Sequence, residues 1–293
     1  MLKKILVLGS NGMAGHVLTL MLRDKSEQFQ VCDISRTDSQ IHPNTILDIT
    51  DFDGLRSIIT RFEPDVVINC IGLLNQIAED TQDQAILINS YLPHFLEKLE
   101  TGKSFKLIHI STDCVFSGRK GGYKEDDFKD GVGFYAQTKS LGEVDNPRDL
   151  TIRTSIVGPE LKDSGTGLFN WFAKQNGKIN GYPNAFWTGV TTIELAKAIL
   201  SAIEQDLCGL YHLVYPVKIS KYDLLKIFRK EFNQNIVIEP YKDYKVDKSL
   251  VNSRSDFKYL VPSYEEMIAE MKNWILNHKD IYSYPHFLEK NKK

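Results

Sequence analysis

Two short stretches in the middle of the chain carry the residue types best suited to chemistry. The segment STDCVFSG (residues 111–118) places hydroxyl, carboxylate and thiol groups directly after the apolar run FKLIHI, and YAQTK follows shortly afterwards. Tyr135 and Lys139 are spaced i and i+4, so on a helix both side chains lie on one face. A phenol has an unperturbed pKa of about 10, and a neighbouring ammonium lowers that pKa because it favours the phenolate. The spacing therefore indicates a proton donor beside the end of a strand.

A glycine-rich loop near the start of the chain predicts a second kind of site. GSNGMAG lies between the strand-like KILVL and the helix-like HVLTLMLRD. Glycine permits a tight turn and a close approach to a pyrophosphate, whose charge is favoured by the positive end of the following helix. The pattern predicts a dinucleotide-binding loop, with a simple strand-to-helix turn as the alternative. The residues assigned to this loop are Gly9, Asn11, Gly12, Met13 and Gly15.

These residues need a framework, and the apolar runs of the first half of the chain indicate one. KILVLG, FQVCDI, DVVINCIG, FKLIHIS and LTIRTS each have the length of a strand and precede a helical or mixed segment. Such alternation predicts βαβ units and a parallel sheet covered by helices on both faces. With right-handed crossovers the expected fold is α/β, a Rossmann-type doubly wound parallel sheet. Its ligands would bind at the carboxyl ends of the strands, where all three motifs would meet.

The second half of the chain has a different character. Residues 159–187 are rich in glycine, asparagine and aromatic residues. TTIELAKAILSAI then resumes helical spacing, GLYHLV resembles another strand, and SYEEMIAEMKNWILNH resembles an amphipathic helix. We therefore predict a dinucleotide-binding domain over residues 1–157, to which residues 186–216 return. Residues 158–293 would form mainly a smaller C-terminal substrate-binding region.

Composition and charge argue against several classes of function. The 293 residues include 36 basic and 38 acidic side chains, for a formal net charge of -2. No long block of one sign precedes the lysine-rich end EKNKK, which is expected to be solvated, so binding to nucleic acid or a membrane surface is not indicated. The first apolar stretch is about five residues long, against roughly 7–15 in a signal peptide, and no run approaches a membrane span. The four cysteines are widely spaced, which indicates reduced thiols in a cytoplasm and no structural metal.

The residues after the second strand bear on the choice of dinucleotide. An acidic residue about 20 positions after the last glycine binds the ribose 2′-hydroxyl of NAD, whereas an arginine favours the 2′-phosphate of NADP. The count reaches Ser35 and Arg36, and Asp33 is expected inside the strand. We therefore expect NADPH to be preferred over NADH, with a solvated surface arginine as the alternative for Arg36. Asp48 and Ile49 are expected beside the adenine.

The combined motifs resemble those of the extended short-chain dehydrogenases/reductases, and within them the dTDP-4-dehydrorhamnose reductase family. The resemblance spans nearly the whole chain and is carried by GSNGMAG, PDVVINCIG, ISTDCVFSG, YAQTKSLGE, IRTSIVGP, TTIELAKAI, GLYHLV and NSRSDF. It implies that Tyr135 protonates a forming alkoxide and that Thr112 hydrogen-bonds the substrate carbonyl. Lys139 would hold the nicotinamide ribose and lower the pKa of the tyrosine.

The same resemblance implies further contacts. The additional residues assigned to the cofactor are Cys70, Ile71 and Gly72, and those assigned to the substrate are Asp113, Cys114, Trp187 and Arg254. Trp187 could stack on a nucleotide base or close a core instead. Arg254 could meet a diphosphate or form a capping salt bridge instead. Cys114 could be a small buried filler at the end of the sheet.

The function implied is NAD(P)H-dependent reduction of the 4-keto group of a nucleotide-activated 6-deoxy sugar. Its products would enter polysaccharide or surface-glycan synthesis, and a homodimer is a candidate assembly. Dehydration is not expected, because Asp113-Cys114 stands where the related dehydratases carry Asp-Glu. One alternative is a non-catalytic NADP-binding subunit similar to the regulatory subunit of methionine adenosyltransferase, and another is an epimerase or epimerase-reductase that uses Cys114. Departures from the family pattern at residues 71–80 and in NAFWTGVTT leave the sugar and the nucleotide open.

Overall fold

The first half of the chain alternates strands and helices, as the apolar runs predict. The computed structural model describes residues 1–39 and 41–284, so the lysine-rich end lies outside the described residues. In chain order the elements are β1 (Lys3–Leu8), α1 (Met13–Arg23), β2 (Phe29–Ser35), β3 (Thr45–Ile46), α2 (Phe52–Phe62), β4 (Val66–Asn69), α3 (Asn75–Asp80), α4 (Gln82–Ala85), α5 (Leu92–Lys98), β5 (Lys106–Thr112), α6 (Phe134–Leu141), β6 (Leu150–Thr154) and β7 (Ile156–Val157). A π-helical turn, Ile86–Tyr91, joins α4 to α5, and a 3₁₀ turn, Asp113–Val115, follows β5.

The second half combines short strands with three longer helices. In chain order its elements are α7 (Leu168–Ala173), β8 (Gly177–Gly181), β9 (Ala185–Trp187), β10 (Val190–Thr191), α8 (Thr192–Glu204), β11 (Gly209–His212), β12 (Ile219–Ser220), α9 (Lys221–Glu231), β13 (Ile236–Pro240), β14 (Val246–Asp247) and α10 (Tyr264–Asn277), followed by a 3₁₀ turn, Lys279–Ile281. The last long helix begins with a capping box, in which Ser263 and Glu266 exchange hydrogen bonds with each other's backbone.

Within the described residues, seven strands form one parallel sheet in the order β11-β6-β5-β4-β1-β2-β3. The chain builds outward from β1 through β2 to β3, then returns to β4 and continues through β5 and β6 to β11. The direction of winding therefore reverses between β1 and β4. In open α/β sheets this switch point leaves a crevice at the carboxyl ends of the strands, where ligands bind. The prediction of a Rossmann-type doubly wound sheet is confirmed.

Helices cover both faces of the sheet. Successive side chains of a strand point to opposite faces, so each central strand packs against both helical layers. On one face Val7 shares a core cluster with residues of α1, α8 and α10, among them Val17. On the other face Leu6 packs with residues of α2 and α5, among them Leu55. Each of these four side chains is fully buried. The apolar runs of the central strands are therefore continuous, since a strand covered on both sides needs apolar residues at every position.

The second half both returns to the sheet and forms smaller sheets of its own. β11, from the segment predicted to return, pairs with β6 at the edge of the main sheet. Elsewhere β13 pairs with β8, and β9 lies between β12 and β14. One apolar core cluster contains residues from both halves, including Val17 of α1 and Phe228 of α9. The division of the chain at residue 157 stays a prediction.

Features that would tie the chain to a membrane or a metal are not found among residues 1–39 and 41–284. No helix there is long and apolar enough to cross a membrane. No group of His, Cys, Asp and Glu side chains in that part of the chain could hold a metal ion. The four cysteines, Cys32, Cys70, Cys114 and Cys208, form no disulfide.

Candidate active site

The glycine-rich loop turns from β1 into α1 at the switch point. Gly9 has a φ of +87°, a conformation that side chains rarely adopt, and a Cβ at Gly15 would lie 2.1 Å from the Gly9 carbonyl oxygen. The N–H of Gly12, the N-cap of α1, donates to the same carbonyl at 2.9 Å. Among the described residues no side chain caps this helix, and its first turn carries no acidic residue. The helix N–H groups are therefore available to an anion in the crevice.

The segment after β4 forms the opposite wall of the crevice. The side chain of Ile71 packs over Gly9, since a Cβ on that glycine would lie 2.8 Å from Ile71 Cγ1. Cys70 is half-buried beside it, and removal of its thiol from water raises the thiol pKa to about 12. A Cβ on Gly72 would lie 3.9 Å from Lys139 Nζ. Both walls thus lack side chains where a dinucleotide backbone would have to come close, so the residues present fit such a cofactor.

Ser35, at the carboxyl end of β2, is held in a hydrogen-bond network. Its Oγ accepts from Asn11 Nδ2 at 3.0 Å and from Asn44 Nδ2 at 2.6 Å, and donates to the Thr37 carbonyl at 2.6 Å. The hydroxyl therefore already has three partners, and contact with a phosphate would require it to exchange one of them. The network also fixes Asn11 of the glycine-rich loop. Asn44 was not identified from the sequence, because nothing in its surroundings marks it as a partner of β2.

Charged side chains lie in or near the carboxyl end of β2, the region where the dinucleotide preference is decided. Asp33 lies inside the strand, buried, with its Oδ1 2.6 Å from Arg23 Nη2. Arg36 is exposed immediately beyond the end of the strand. The pKa of Asp48 is lowered mainly by hydrogen bonds from Thr50 and slightly by Arg36. Ile49 is buried in the core that β2 shares with α2. An arginine, rather than an acid, therefore follows the tip of β2.

Thr112 and Tyr135 meet at the carboxyl edge of the sheet. Thr112 ends β5, and its hydroxyl accepts from the Cys114 N–H at 3.1 Å and donates to Asp113 Oδ1 at 3.2 Å. Tyr135 lies in the first turn of α6. Burial raises the pKa of its phenol above the ordinary value, the Cys114 and Asp113 charges add to the rise, and a hydrogen bond with Thr112 opposes it. At neutral pH the phenol is therefore a protonated, neutral donor beside the Thr112 hydroxyl.

Lys139 is buried one turn further along α6. Its Nζ donates to the Ile110 carbonyl at 2.8 Å and lies 3.2 Å from His109 Nε2. Burial lowers the pKa of the ammonium to about 8, while the charges of Glu143 and Cys70 raise it. The expectation that this lysine lowers the pKa of Tyr135 is corrected by the structure. The amine is directed at the backbone of β5 and at His109, and burial of the phenol raises the tyrosine pKa instead.

Two side chains that the sequence did not reveal hold α6 in place. Glu79 Oε1 accepts the N–H of Phe134 at 2.6 Å, which caps the helix that carries Tyr135. Asn89, in the π-helical turn, accepts the Leu73 N–H at 2.8 Å and donates to the Leu73 carbonyl at 2.9 Å. Asn89 Nδ2 also donates to Thr138 Oγ1 of α6 at 3.1 Å, so Asn89 links the loop after β4 to α6. The sequence does not indicate the roles of Glu79 and Asn89, because these roles depend on contacts between distant segments.

Asp113 and Cys114 lie on the side of the site that faces the second half of the chain. Burial raises the pKa of Asp113, and the charges of Lys248 and Lys221 oppose this rise. Burial and Asp113 raise the pKa of the Cys114 thiol, and Lys248 opposes that rise as well. Cys114 is therefore a neutral thiol, which is a weak acid and a weak nucleophile. Lys248 and Lys221 are further candidate functional residues that the sequence did not single out.

The structure does not bring Trp187 or Arg254 to this group. Trp187 is only 5% exposed and belongs to the main apolar core, so it closes that core as the alternative interpretation held. Arg254 lies at the amino end of β11, where its Nη1 donates to the Cys208 carbonyl at 2.7 Å and its Nη2 pairs with Asp256. The amino ends of parallel strands lie at the edge of the sheet opposite the crevice. Both expected substrate contacts are thus corrected.

Known proteins share this arrangement. Residues 3–255 match the family model described as RmlD substrate binding domain. The dTDP-4-dehydrorhamnose reductase of Mycolicibacterium smegmatis is 35% identical over 233 residues, which cover 76% of this chain and 67% of that protein. Methionine adenosyltransferase 2 subunit beta of Danio rerio is 30% identical over 247 residues, 79% of this chain and 74% of that one.

A solved structure shows the same fold. The dTDP-4-dehydrorhamnose reductase of Bacillus anthracis str. Ames, in complex with NADP, superimposes with a TM-score of 0.78 at 21% identity. The match covers 92% of this chain and 99% of that one. The doubly wound sheet, the glycine-rich loop and the Thr-Tyr-Lys group define the class, an extended short-chain dehydrogenase/reductase among the NAD(P)-dependent oxidoreductases. Within that class the chain belongs to the RmlD family, which includes dTDP-4-dehydrorhamnose reductases.

Proposed function

We propose that the protein reduces the 4-keto group of a nucleotide-activated 6-deoxy sugar with NADPH. The observation that carries the proposal is the protonated phenol of Tyr135, half-buried beside the buried Thr112 hydroxyl at the carboxyl edge of the sheet. Lys139 stands on the same helix, next to Gly72 in the crevice. A proton donor, a carbonyl-binding hydroxyl and a ribose-binding amine are the groups that carbonyl reduction requires. The dTDP-4-dehydrorhamnose reductases of the family support the choice of substrate class.

Each residue has a defined part in the reaction. When bound in the crevice, the reduced nicotinamide supplies the hydride. The Thr112 hydroxyl, on turning from Asp113, donates to the substrate carbonyl and orients it. Tyr135 gives its proton to the oxygen that becomes the product hydroxyl. A raised phenol pKa keeps this proton in place at neutral pH, and transfer is still favourable because an alkoxide is more basic than a phenolate.

The substrate side of the site is assigned to the second half of the chain. Lys221 begins α9 and Lys248 follows β14, and both charges act on Asp113. We infer that these two lysines bind the diphosphate of the nucleotide sugar, since ammonium groups attract phosphate oxygens strongly. The described residues 158–284 would then supply most of the substrate-binding region, which was predicted from the sequence over residues 158–293. Asp113 would orient a sugar hydroxyl.

The preference for NADPH over NADH is assigned to Arg36. Its position after β2 suits a contact with the 2′-phosphate, because Asp33 is buried and paired with Arg23. Arg36→Ala should therefore weaken NADPH binding about tenfold or more and leave NADH binding nearly unchanged. Equal losses for the two cofactors would instead point to a general role of Arg36 in the loop.

Cofactor oxidation with defined sugars tests the function. The protein would be supplied with NADPH or NADH and with dTDP-4-keto-6-deoxyhexose produced in the assay, and then with the UDP- and GDP-linked 4-keto sugars. Oxidation that requires one sugar and proceeds faster with NADPH supports the proposal. Tight cofactor binding with no turnover on any of these sugars contradicts it.

A second function is favoured by the similarity to methionine adenosyltransferase 2 subunit beta. In this case the chain would bind the dinucleotide and a partner enzyme without reducing a sugar. Co-purification with a methionine adenosyltransferase catalytic subunit, together with the absence of turnover, would establish it. The epimerase alternative is disfavoured by the raised pKa of Cys114. Exchange of substrate hydrogens with solvent in the absence of reduced cofactor would support the epimerase alternative.

We also propose a homodimer. Large apolar side chains are exposed on α3, the π-helical turn and α6, and α6 packs against both of the others; these side chains are Ile77, Ile86, Tyr91 and Leu141. An apolar surface of this kind marks an interface more often than a solvated face. Light scattering on the purified protein measures the mass directly, and Leu141→Lys should shift a dimer toward the monomer. A monomeric wild-type protein would contradict this assembly.

A further inference from the structure

A line of buried polar side chains runs away from the site behind Lys139. Asn69 ends β4, His109 lies in β5 and Lys139 lies in α6. Asn69 and His109 are fully buried, and Lys139 is 4% exposed. Three segments distant in the sequence therefore place an amide, an imidazole and an amine in one line inside the protein. Polar groups buried this deeply need hydrogen-bond partners.

Hydrogen-bonding contacts connect the backbone of the segment after β4 to the lysine without a break. Asn69 Oδ1 accepts the N–H of Ile71 at 3.1 Å. Asn69 Nδ2 lies 3.2 Å from His109 Nδ1, and His109 Nε2 lies 3.2 Å from Lys139 Nζ. The backbone amide at the near end belongs to the residue that packs over Gly9 in the crevice. The lysine at the far end belongs to the Thr-Tyr-Lys group.

The chemistry of these atoms allows only some arrangements of protons. The Ile71 N–H requires the oxygen of Asn69, so the amide nitrogen of Asn69 faces His109 and donates to its Nδ1. The imidazole then carries its proton on Nε2, which faces Lys139. An ammonium has three donors and no acceptor. With Lys139 charged, two N–H donors would therefore face each other, and the line would have one donor too many.

Two arrangements remove this conflict. In the first, Lys139 is a neutral amine whose lone pair accepts the proton of His109 Nε2. In the second, Lys139 is an ammonium, the imidazole proton moves to Nδ1, and the Asn69 amide turns over so that its oxygen accepts it. The second arrangement turns the Asn69 nitrogen toward the Ile71 N–H, which therefore loses its acceptor. The state of the lysine is thus tied to that backbone amide.

We propose that His109 and Asn69 are positioning residues that couple the protonation of Lys139 to the hydrogen bonding of the Ile71 amide in the segment after β4. The lysine side of the coupling is a proton gained or lost at Nζ. The other side of the coupling is the Ile71 backbone N–H, which loses its Asn69 acceptor when the lysine is charged. The inference concerns the protein without substrate and holds independently of the reductase proposal.

Burial and the surrounding charges set the pH at which Lys139 gains or loses its proton, and this pH is accessible to experiment. Burial lowers the pKa of Lys139 to about 8, against the opposing charges of Glu143 on the segment after α6 and Cys70 on the segment after β4. Burial lowers the pKa of His109 far below its ordinary value, and the charges of Lys139 and of His94 on α5 lower it further. The imidazole therefore stays neutral and changes only its tautomer, while the lysine is charged below about pH 8 and neutral above it.

Nitrogen NMR of the histidine ring tests the coupling without any assay of activity. Protein labelled with ¹⁵N-histidine would be titrated from about pH 6 to pH 10, since the two ring nitrogens report directly which of them carries the proton. The His109 signals would be assigned by their loss in His109→Gln. The expected result is the Nε2–H tautomer at high pH, replaced by the Nδ1–H tautomer with a midpoint near pH 8. A single tautomer over the whole range in the wild-type protein overturns the proposal.

A matched variant separates the coupling from general effects of pH. In Lys139→Met the side chain keeps its length and loses its proton, so His109 should hold the Nε2–H tautomer throughout. The amide signal of Ile71 should shift with pH in the wild-type protein and not in this variant. A change of tautomer that persists in Lys139→Met would show that another group drives it, and the proposal would fail. The tautomers are read in the wild-type protein and His109→Gln serves only to assign the signals, so the titration remains informative if Lys139→Met does not fold.

Discussion

Two buried polar groups lie side by side on the same face of β5 and behave in opposite ways. Around Ser111, the carboxylate of Glu143 accepts from Ser111 Oγ at 2.6 Å, from Arg153 Nε at 2.8 Å and from Arg153 Nη2 at 2.7 Å. Around His109, two positions earlier, the only direct partners among the described residues are Asn69 and Lys139. We call the first the carboxylate cluster and the second the amine chain.

The difference lies in the balance of donors and acceptors. In the carboxylate cluster burial raises the pKa of Glu143, but the hydrogen bonds and charge of Arg153 outweigh burial and lower it. In the amine chain no carboxylate bonds Lys139 directly within the described part of the protein, and burial lowers the pKa of its amine. A balanced pair keeps one protonation state and one geometry. In the amine chain the donors outnumber the acceptors when Lys139 is charged, so the proton on Lys139 or on His109 can change its position. A site that transfers protons needs groups of this kind.

The largest effect is expected at the site itself. Tyr135→Phe should lower kcat by about 10²–10⁴-fold, because the proton donor is lost. The free energy of unfolding should change by less than about 1 kcal/mol, since only the phenol oxygen is removed. Steady-state kinetics with the preferred sugar and urea denaturation measure the two quantities. Full activity of the variant would show that Tyr135 is not the proton donor.

The carboxylate cluster should show the reverse pattern. Arg153→Met removes the two-bond guanidinium partner of the buried Glu143 carboxylate and leaves it with Lys129, 3.1 Å away, and Ser111, which should lower the free energy of unfolding by about 3 kcal/mol. Tm should fall by on the order of 10 °C. Lys178→Met is the matched control, because it breaks an exposed ion pair with Glu239 and should cost less than about 1 kcal/mol. If the free energy of unfolding falls by similar amounts in the two variants, the carboxylate cluster does not stabilise the fold.

Acid should weaken the cluster and the C-terminal contacts through two buried histidines. Burial lowers the pKa of His212, which lies 2.7 Å from Arg153 Nη1, and of His16 from 6.5 to about 4. The folded state therefore binds fewer protons than the unfolded state between these values. Their stabilising effect is complete above about pH 6.5 and is lost as the pH falls toward about 4, by on the order of 3 kcal/mol each at most.

Thermal unfolding between about pH 4 and pH 8 measures this loss. His212→Gln, which keeps a hydrogen-bonding side chain without a titrating ring, should flatten the acid side of the stability curve. A curve that is identical for the variant and the wild-type protein would show that His212 is not the group that titrates.

The smallest effect is expected at the cap of α6. Glu79→Ala removes the acceptor for the Phe134 N–H and should cost about 1 kcal/mol, while Glu79→Gln keeps the acceptor and should cost less. A modest fall in kcat should accompany the alanine variant, because the first turn of α6 holds Tyr135. Urea denaturation and steady-state kinetics of the wild-type protein, Glu79→Ala and Glu79→Gln measure the free energy of unfolding and kcat. Equal stability of all three would mean that the cap does not hold the helix.

Much of this arrangement could be predicted from local patterns. The doubly wound sheet follows from apolar runs that recur at βαβ spacing. The turn at Gly9 follows from the glycine spacing, and the shared helix face of Tyr135 and Lys139 follows from their i and i+4 positions. The substrate contacts at Trp187 and Arg254 were misplaced, because the pattern of a segment does not show which end of a strand or which core it will meet.

By itself, the sequence determined those features whose partners lie within one turn, one strand or one βαβ unit. The apolar run before Thr112 predicted that this residue ends a buried strand, and the glycine spacing predicted a tight turn between β1 and α1. Only the tertiary structure decided that His109 would stand between Asn69 and Lys139, and that burial would raise the pKa of Tyr135. The physical reason is that desolvation and hydrogen-bond balance depend on every group that surrounds a side chain, and those groups come from segments far apart in the chain.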